Sequence, residues 1–278
     1  MKGMGNMSKK VYEMITNQII KKLEKGVVPW QKPWVNGIAK NWETQKAYRG
    51  INIMLLDGGE YATFNQIKKA GGKVKKGAKS EIVVFWKMYK TKDKETDEEI
   101  TIPLLRYYRV FKVGEQTEGI KPKQVKVEFD HDPIECAERV KDNYIDKPSF
   151  TYNSGRAYYQ PLSDKINVPP LKDFKTVEGY YSTLFHEMIH STGHEKRLDR
   201  KELTQLAPFG SETYSKEELT AEIGASMLCG VTGIIDETID NSASYVQSWL
   251  NALKNDKTLI ISASQKAQKA VDYILDNK

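Results

Sequence analysis

Apolar residues recur every three to four positions near the start of the chain. Val11, Ile15, Ile19 and Leu23 fall on one side of a helical wheel, which predicts a helix over about 10–25. The helix is polybasic enough to touch anionic lipid, but its apolar positions fit a core-facing stripe. TFNQIKKAGG predicts a helix near 63–70 that ends at the glycine pair, and a short helix is expected near 51–57. The period then changes to two. Strands are expected at 81–90 and 104–113, the latter with Arg106, Tyr108, Val110 and Lys112 on one face and Tyr107, Arg109, Phe111 and Val113 on the other. TKDKETDEE between them reads as a charged hairpin tip, and residues 114–128 read as a linker. A helix at 132–146 follows, then a strand, a Ser-Asp-Lys turn and a strand in YYQPLSDKINVPP. Helices dominate the rest, the last two near 241–253 and 262–276, and no internal repeat is visible. The succession predicts an α+β fold.

One helix carries chemistry. YYSTLFHEMIHSTGH holds His186, Glu187 and His190 in the order HExxH, and three of the chain's four histidines lie within these few residues. Side chains four apart lie above one another on a helix, so both imidazoles can bind one metal ion. Glu187 then stands beside the remaining coordination position as a general base, the arrangement of zinc hydrolases. Zinc would lower the pKa of water there to about 7, with Glu187 taking the proton for attack on a carbonyl. Tyr181, Leu184, Phe185, Met188 and Ile189 form an apolar stripe that would bury the opposite face. The competing reading is an amphipathic helix whose histidines bind no metal.

A third ligand is needed. His194 follows Gly193 directly, which is not the HExxHxxGxxH spacing, so His194 reads as a helix-end residue or one supporting the ligands from behind. SKEELTAEIGASMLCG offers a better source. Ser215 resembles an N-cap with Glu218 three residues on, a capping-box pattern. Glu218 and Glu222 share a helix face, so Glu218 is expected as ligand and Glu222 as the group orienting a ligand histidine, with the reverse assignment open. Ala221, Gly224 and Ala225 would let this helix approach the HExxH helix closely. A strand of YYQPLSDKINVPP could hold an extended peptide by strand addition. Tyr158, Tyr159 or Tyr214 could donate to an oxyanion.

Charge divides the chain. Residues 1–126 hold 26 Lys and Arg against 13 Asp and Glu, whereas the remainder holds 17 against 24. The net +6 conceals a basic half and an acidic half, and two domains are expected, 1–126 and 127–278. The basic half also holds four of the five tryptophans. Trp30, Lys32, Trp34, Tyr48 and Arg49 lie in one irregular segment. Lys73, Lys75 and Lys76 lie in a glycine-lysine loop, and Trp86, Lys87, Arg106, Tyr108 and Arg109 lie on the strands. Aromatics that stack bases, set among cations that track phosphates, suit single-stranded nucleic acid. The competing reading places the aromatics in a core and the lysines in solvent.

Other classes are excluded or unsupported. No GxxxxGK[ST] or GxGxxG loop is present. Cys136 and Cys229 are too few and too distant for a zinc ribbon, and read as reduced cytoplasmic thiols. No apolar run reaches the roughly 18 residues of a membrane span. MKGMGNMSKK has no apolar core of a signal peptide, so a cytoplasmic location without membrane association is expected.

Beyond single motifs, the chain resembles the ArdC family of antirestriction proteins, carried by conjugative plasmids, phages and related mobile elements. The first half is similar in Pro29, Trp30, Lys32, Pro33 and Trp34, in YRGIN from Tyr48, and in Ala70 to Gly77. VVFWK from Val83 and LRYYRVF from Leu105 extend the match. The second half is similar from Gly179 to Leu198 and from Phe209 to Ala225. The resemblance implies a small basic α+β domain that binds single-stranded DNA with little sequence preference, followed by a zincin-like metallopeptidase domain. It implies protection of an incoming element during transfer, by blocking or degrading a host restriction enzyme or another protein substrate. Zn2+, or another divalent metal, is the cofactor expected. Two alternatives stand beside it: a DNA-binding protein whose metal domain only stabilises the fold or contacts a partner, and a peptidase whose basic half recruits an acidic protein.

Overall fold

The structure, a computed structural model, describes residues 2–30, 38–92, 98–123, 133–204, 212–234 and 243–276. Helix α1 (Lys2–Leu23) leads into strand β1 (Lys40–Asn41), helix α2 (Asn52–Leu55), strand β2 (Glu60–Thr63) and helix α3 (Phe64–Lys69). Strands β3 (Lys73–Val74), β4 (Glu81–Lys92), β5 (Glu99–Lys112) and β6 (Thr117–Glu118) follow. Then come helix α4 (Pro133–Asn143) and strands β7 (Ser149–Thr151), β8 (Tyr158–Gln160) and β9 (Lys165–Asn167). Helices α5 (Val177–Ser191), α6 (Lys201–Thr204), α7 (Glu212–Thr232), α8 (Ala243–Asn255) and α9 (Leu259–Ile274) complete the chain.

Local chemistry explains several boundaries. Thr63 caps α3 by accepting from the Gln66 N–H at 3.3 Å, while the Gln66 side chain accepts from the Thr63 N–H at 2.8 Å. The helix ends where Gly71 takes a left-handed φ of 79°. Thr176 caps α5 through the Gly179 N–H at 3.1 Å. The expected cap at Ser215 is not there. α7 begins at Glu212, so Ser215 lies within it and pairs its hydroxyl with that of Ser248 on α8 at 3.1 Å. Glu218 is drawn to the histidines of α5 instead of back to its own helix start.

A four-stranded sheet has the order β1-β2-β5-β4, with β1 and β2 parallel and the other pairs antiparallel. β3 pairs with β6, so part of the segment expected as a linker is a strand. A three-stranded sheet has the order β7-β9-β8, which leaves β8 at an edge. α5 packs on α7, and α7 packs on α9. Val11, Ile15, Ile19 and Leu23 are buried as the helical wheel predicts, and α1 lies against β5 and α8. One hydrophobic core therefore runs from α1, Val84 and Leu105 into α5, α7, α8 and α9. The domain boundary expected at 126/127 lies outside the described residues.

Candidate functional site

His186 and His190 stand one turn apart on α5, and their Nε2 atoms face each other at 3.0 Å. α7 brings Glu218 to both. Its carboxylate oxygens lie 3.5 Å from His186 Nε2 and 3.4 Å from His190 Nε2. Each of the three offers a ligand atom within 4.8 Å of the others. Two ligands about 2.1 Å from a tetrahedral ion lie roughly 3.4 Å apart, so this donor set fits a divalent metal. The opposite faces of the rings are also occupied. Glu222 Oε1 lies 3.5 Å from His186 Nδ1, and Glu217 Oε1 lies 3.2 Å from His190 Nδ1. The imidazoles thus have their Nε2 atoms left for a metal. Glu218 is held below the ordinary carboxylate range: burial alone would raise it, but both histidines outweigh that.

Glu187 is buried on the same turn, and burial pushes its carboxyl up, tempered by the neighbouring histidines. Tyr159 lies on the edge strand β8, which packs against the HExxH helix α5. The Tyr159 hydroxyl is committed elsewhere, donating to Asp164 Oδ1 at 2.8 Å, and is unsuited to an oxyanion. Tyr158 is exposed on the same strand, and Tyr214 is half-buried early in α7. Asp164 takes a left-handed turn, φ 45°, between β8 and β9 and receives Arg197, which also donates to the Ser191 carbonyl at 2.7 Å. His194 lies past the end of α5, where its Nδ1 accepts the Lys196 N–H at 3.2 Å, outside the metal-type cluster.

The basic half is more divided than its composition suggests. Trp30 is buried, edge-on to Trp249 with ring centroids 5.2 Å apart, and its carbonyl accepts from the Ser226 hydroxyl of α7. It is a core residue, not a base-stacking one. Tyr48 is also buried and meets Phe85 at a tilt, with ring centroids 6.2 Å apart. Lys32 and Trp34 lie outside the described residues. Arg49 pairs with Asp272, Lys73 with Glu118 at 3.2 Å, and Lys75 donates to the Glu115 carbonyl at 2.9 Å, while Lys76 is exposed. Strand alternation splits the remaining set. Cross-strand pairing of Val83 with Tyr108, Phe85 with Arg106 and Lys87 with Leu104 puts Phe85, Lys87, Arg106 and Tyr108 on one face. Trp86, Tyr107 and Arg109 lie on the other, where Trp86 meets Tyr12 of α1 at 6.3 Å and Arg109 donates to Ser80 at 3.1 Å. Phe85 and Tyr108 are 47% and 42% exposed and 5.9 Å apart, so this pair remains open for stacking.

Comparison with known proteins agrees with both halves. Residues 9–111 match the N-terminal domain of anti-restriction factor ArdC, and residues 142–266 match a zincin-like metallopeptidase. The metal-free crystal structure of the antirestriction ArdC protein from the R388 plasmid is 38% identical, with a TM-score of 0.78 over 96% of this chain and 97% of that one. The chain belongs to the ArdC family of antirestriction proteins. The Mn(II)-bound structure of that ArdC protein is 36% identical at a TM-score of 0.75, with the same coverage of 96% and 97%. The uncharacterized protein y4eC of Sinorhizobium fredii (strain NBRC 101917 / NGR234) is 32% identical over 95% of this chain and 91% of its own length. Two Escherichia coli proteins named DNA primase TraC are each 35% identical over 96% and 98% of this chain, which spans only 20% and 28% of their lengths.

Within this ArdC-family chain, three residues escaped sequence reasoning. Glu217 is adjacent to Glu218, and only the rotation of α7 against α5 shows that it too reaches a histidine. Arg200, which donates to both carboxylate oxygens of Glu217, lies beyond the motif with no local pattern to mark it. Phe85 alternates with Trp86 and both rings stay exposed, but only the cross-strand register sets Phe85 beside Arg106 and Tyr108. Among the described residues, no helix is long and apolar enough to cross a membrane.

Proposed function

We propose that this ArdC-family protein binds single-stranded DNA without sequence preference and carries a divalent-metal hydrolase site of the metallopeptidase type, in the service of antirestriction. The observation that carries the hydrolase half is the convergence of His186, His190 and Glu218 on one point beside the buried Glu187. When bound, a divalent ion supplies Lewis acidity and acidifies water. Zinc suits two imidazoles and a carboxylate, and manganese is a second choice because the ArdC protein from the R388 plasmid has a Mn(II)-bound structure. Glu187, lifted by burial toward proton exchange nearer neutral pH, would accept the proton. The edge of β8, which packs against α5, would align an extended peptide along the HExxH helix.

DNA binding is supported by the Phe85–Tyr108 face, where two exposed rings stand beside Arg106 and Lys87. It also agrees with the names of the two primases that share this segment. The acidic second half would repel a polyanion, so the strand would stay on the basic half. A host restriction enzyme, or another protein near the bound DNA, would be the hydrolytic substrate, and the protein would work in the cytoplasm.

Glu187→Ala tests the enzymatic half. The variant should bind metal and single-stranded DNA as the parent does, yet lose protection against restriction and peptide hydrolysis. Full protection by a metal-loaded Glu187→Ala protein would leave DNA coating as the protective act and end the hydrolase assignment.

A further inference from the structure

A buried chain of charges stands behind His190. Its Nδ1 meets Glu217 Oε1 at 3.2 Å, and Arg200 grips both oxygens of Glu217, from Nε at 3.0 Å and from Nη2 at 2.6 Å. The same guanidinium donates to the Thr192 hydroxyl at 2.5 Å and to the carbonyls of Ile189 at 2.8 Å and His190 at 3.3 Å. Glu217 and Arg200 are only 4% and 6% exposed, so solvent screens neither.

The hydrogen-bonding roles in this chain are forced. An arginine cannot be deprotonated in a protein, so Glu217 facing it stays ionised despite its burial. An ionised carboxylate only accepts, so the hydrogen must sit on Nδ1 of His190. Nε2 is then the nitrogen left to ligate a metal, directed at His186 and Glu218. Because Arg200 also holds the last carbonyls of α5, one group fixes both the ring and the helix end that carries it.

Gly193 makes room for this. A Cβ there would lie 2.9 Å from Arg200 Nη2, 3.0 Å from Cζ and 3.0 Å from a methyl of Leu203. Its backbone is not left-handed, so space is the reason for glycine.

We propose that Arg200 and Glu217 are a positioning pair for the metal ligand His190, and that Gly193 is small so that Arg200 can reach it. This presupposes that His186, His190 and Glu218 take a divalent ion, as proposed above.

Calorimetric titration of the full-length chain with Zn2+ alone and with Mn2+ alone, well below the unfolding temperature, tests both statements separately. Wild-type protein that binds neither ion would overturn the metal site itself. If it binds, Glu217→Gln should weaken affinity about 10–100-fold, with circular dichroism unchanged. Gly193→Ala touches no ligating residue and should still weaken affinity several-fold. That effect should shrink in an Arg200→Lys background, where the fork it displaces is already gone. A purely structural role would lower the unfolding temperature and leave the affinity of the folded protein alone. Affinities within twofold of wild type for folded Glu217→Gln would overturn the pair. Should that variant fail to fold, the same outcome for Gly193→Ala and Arg200→Lys would overturn it.

Discussion

Gly224 on α7 faces Ile189 on α5 with no room for a methyl group between them: an added Cβ would lie 2.7 Å from the Ile189 Cδ1. Ile189 belongs to HExxH itself, so this contact sets how closely the two carboxylate-bearing turns of α7 approach the histidines. Gly224→Ala must push the helices apart and should cost about 1–3 kcal/mol by overpacking. Urea unfolding would measure the loss. A metal titration of the folded variant should show weaker binding, because Glu218 moves with the helix.

The two faces of the β4–β5 hairpin should behave differently toward DNA. Phe85→Ala and Tyr108→Ala should each weaken binding to a single-stranded oligonucleotide by about 1–3 kcal/mol per lost stacked base. Trp86→Ala, which empties a contact with Tyr12 of α1, should lower stability more than affinity. Fluorescence anisotropy at two salt concentrations separates these cases. Equal losses from both faces would mean that the strand does not lie where Phe85 and Tyr108 are open.

Trp30→Ala should remove a core residue, at about 3–5 kcal/mol. The core is shared between the halves, and Trp30 bonds through its carbonyl to the helix that carries Glu218. DNA binding and metal binding should therefore be lost in one unfolding transition. Two separate transitions in calorimetry would show the halves to be independent.

Asp164 should make the protein acid-sensitive in a defined direction. Burial alone would raise its pKa, but hydrogen bonds from Arg197 and Tyr159 and the Arg197 charge outweigh this and hold it below the ordinary aspartate range. The stability it contributes is present above the unfolded pKa of about 3.9 and is lost as pH falls through the lower folded value. Arg197 is almost wholly buried, with 1% of its side chain exposed, whereas Asp164 keeps 23%. Asp164→Ala should therefore cost about 2–3 kcal/mol at pH 7, less than a fully buried pair. The difference from wild type should narrow as pH drops below about 4. Denaturant unfolding across that range would show it, and a gap that widens toward acid would contradict the assignment.

Much of the site was legible because its signal is local. His186 and His190 share a face by helix geometry alone, and the apolar stripe on the other side of α5 is buried as the period requires. Ala221, Gly224 and Ala225 pointed to a close helix contact, which Gly224 makes. The alternation of Arg106 and Tyr108 against Tyr107 and Arg109 was readable too. Ser215 misled because a capping-box pattern cannot show that its glutamate has a stronger partner on another helix.

The sequence alone determined the helices, the two long strands, the i, i+4 histidine pair and the unequal charge of the two halves, since all follow from period and composition along one segment. Tertiary structure decided the rest: that Glu217 as well as Glu222 backs a histidine, that Arg200 stands behind Glu217, and that Trp30 is core while Phe85 is open. Each depends on how one helix is rotated and seated against another. That is set by packing between residues far apart in the chain, which no local pattern encodes.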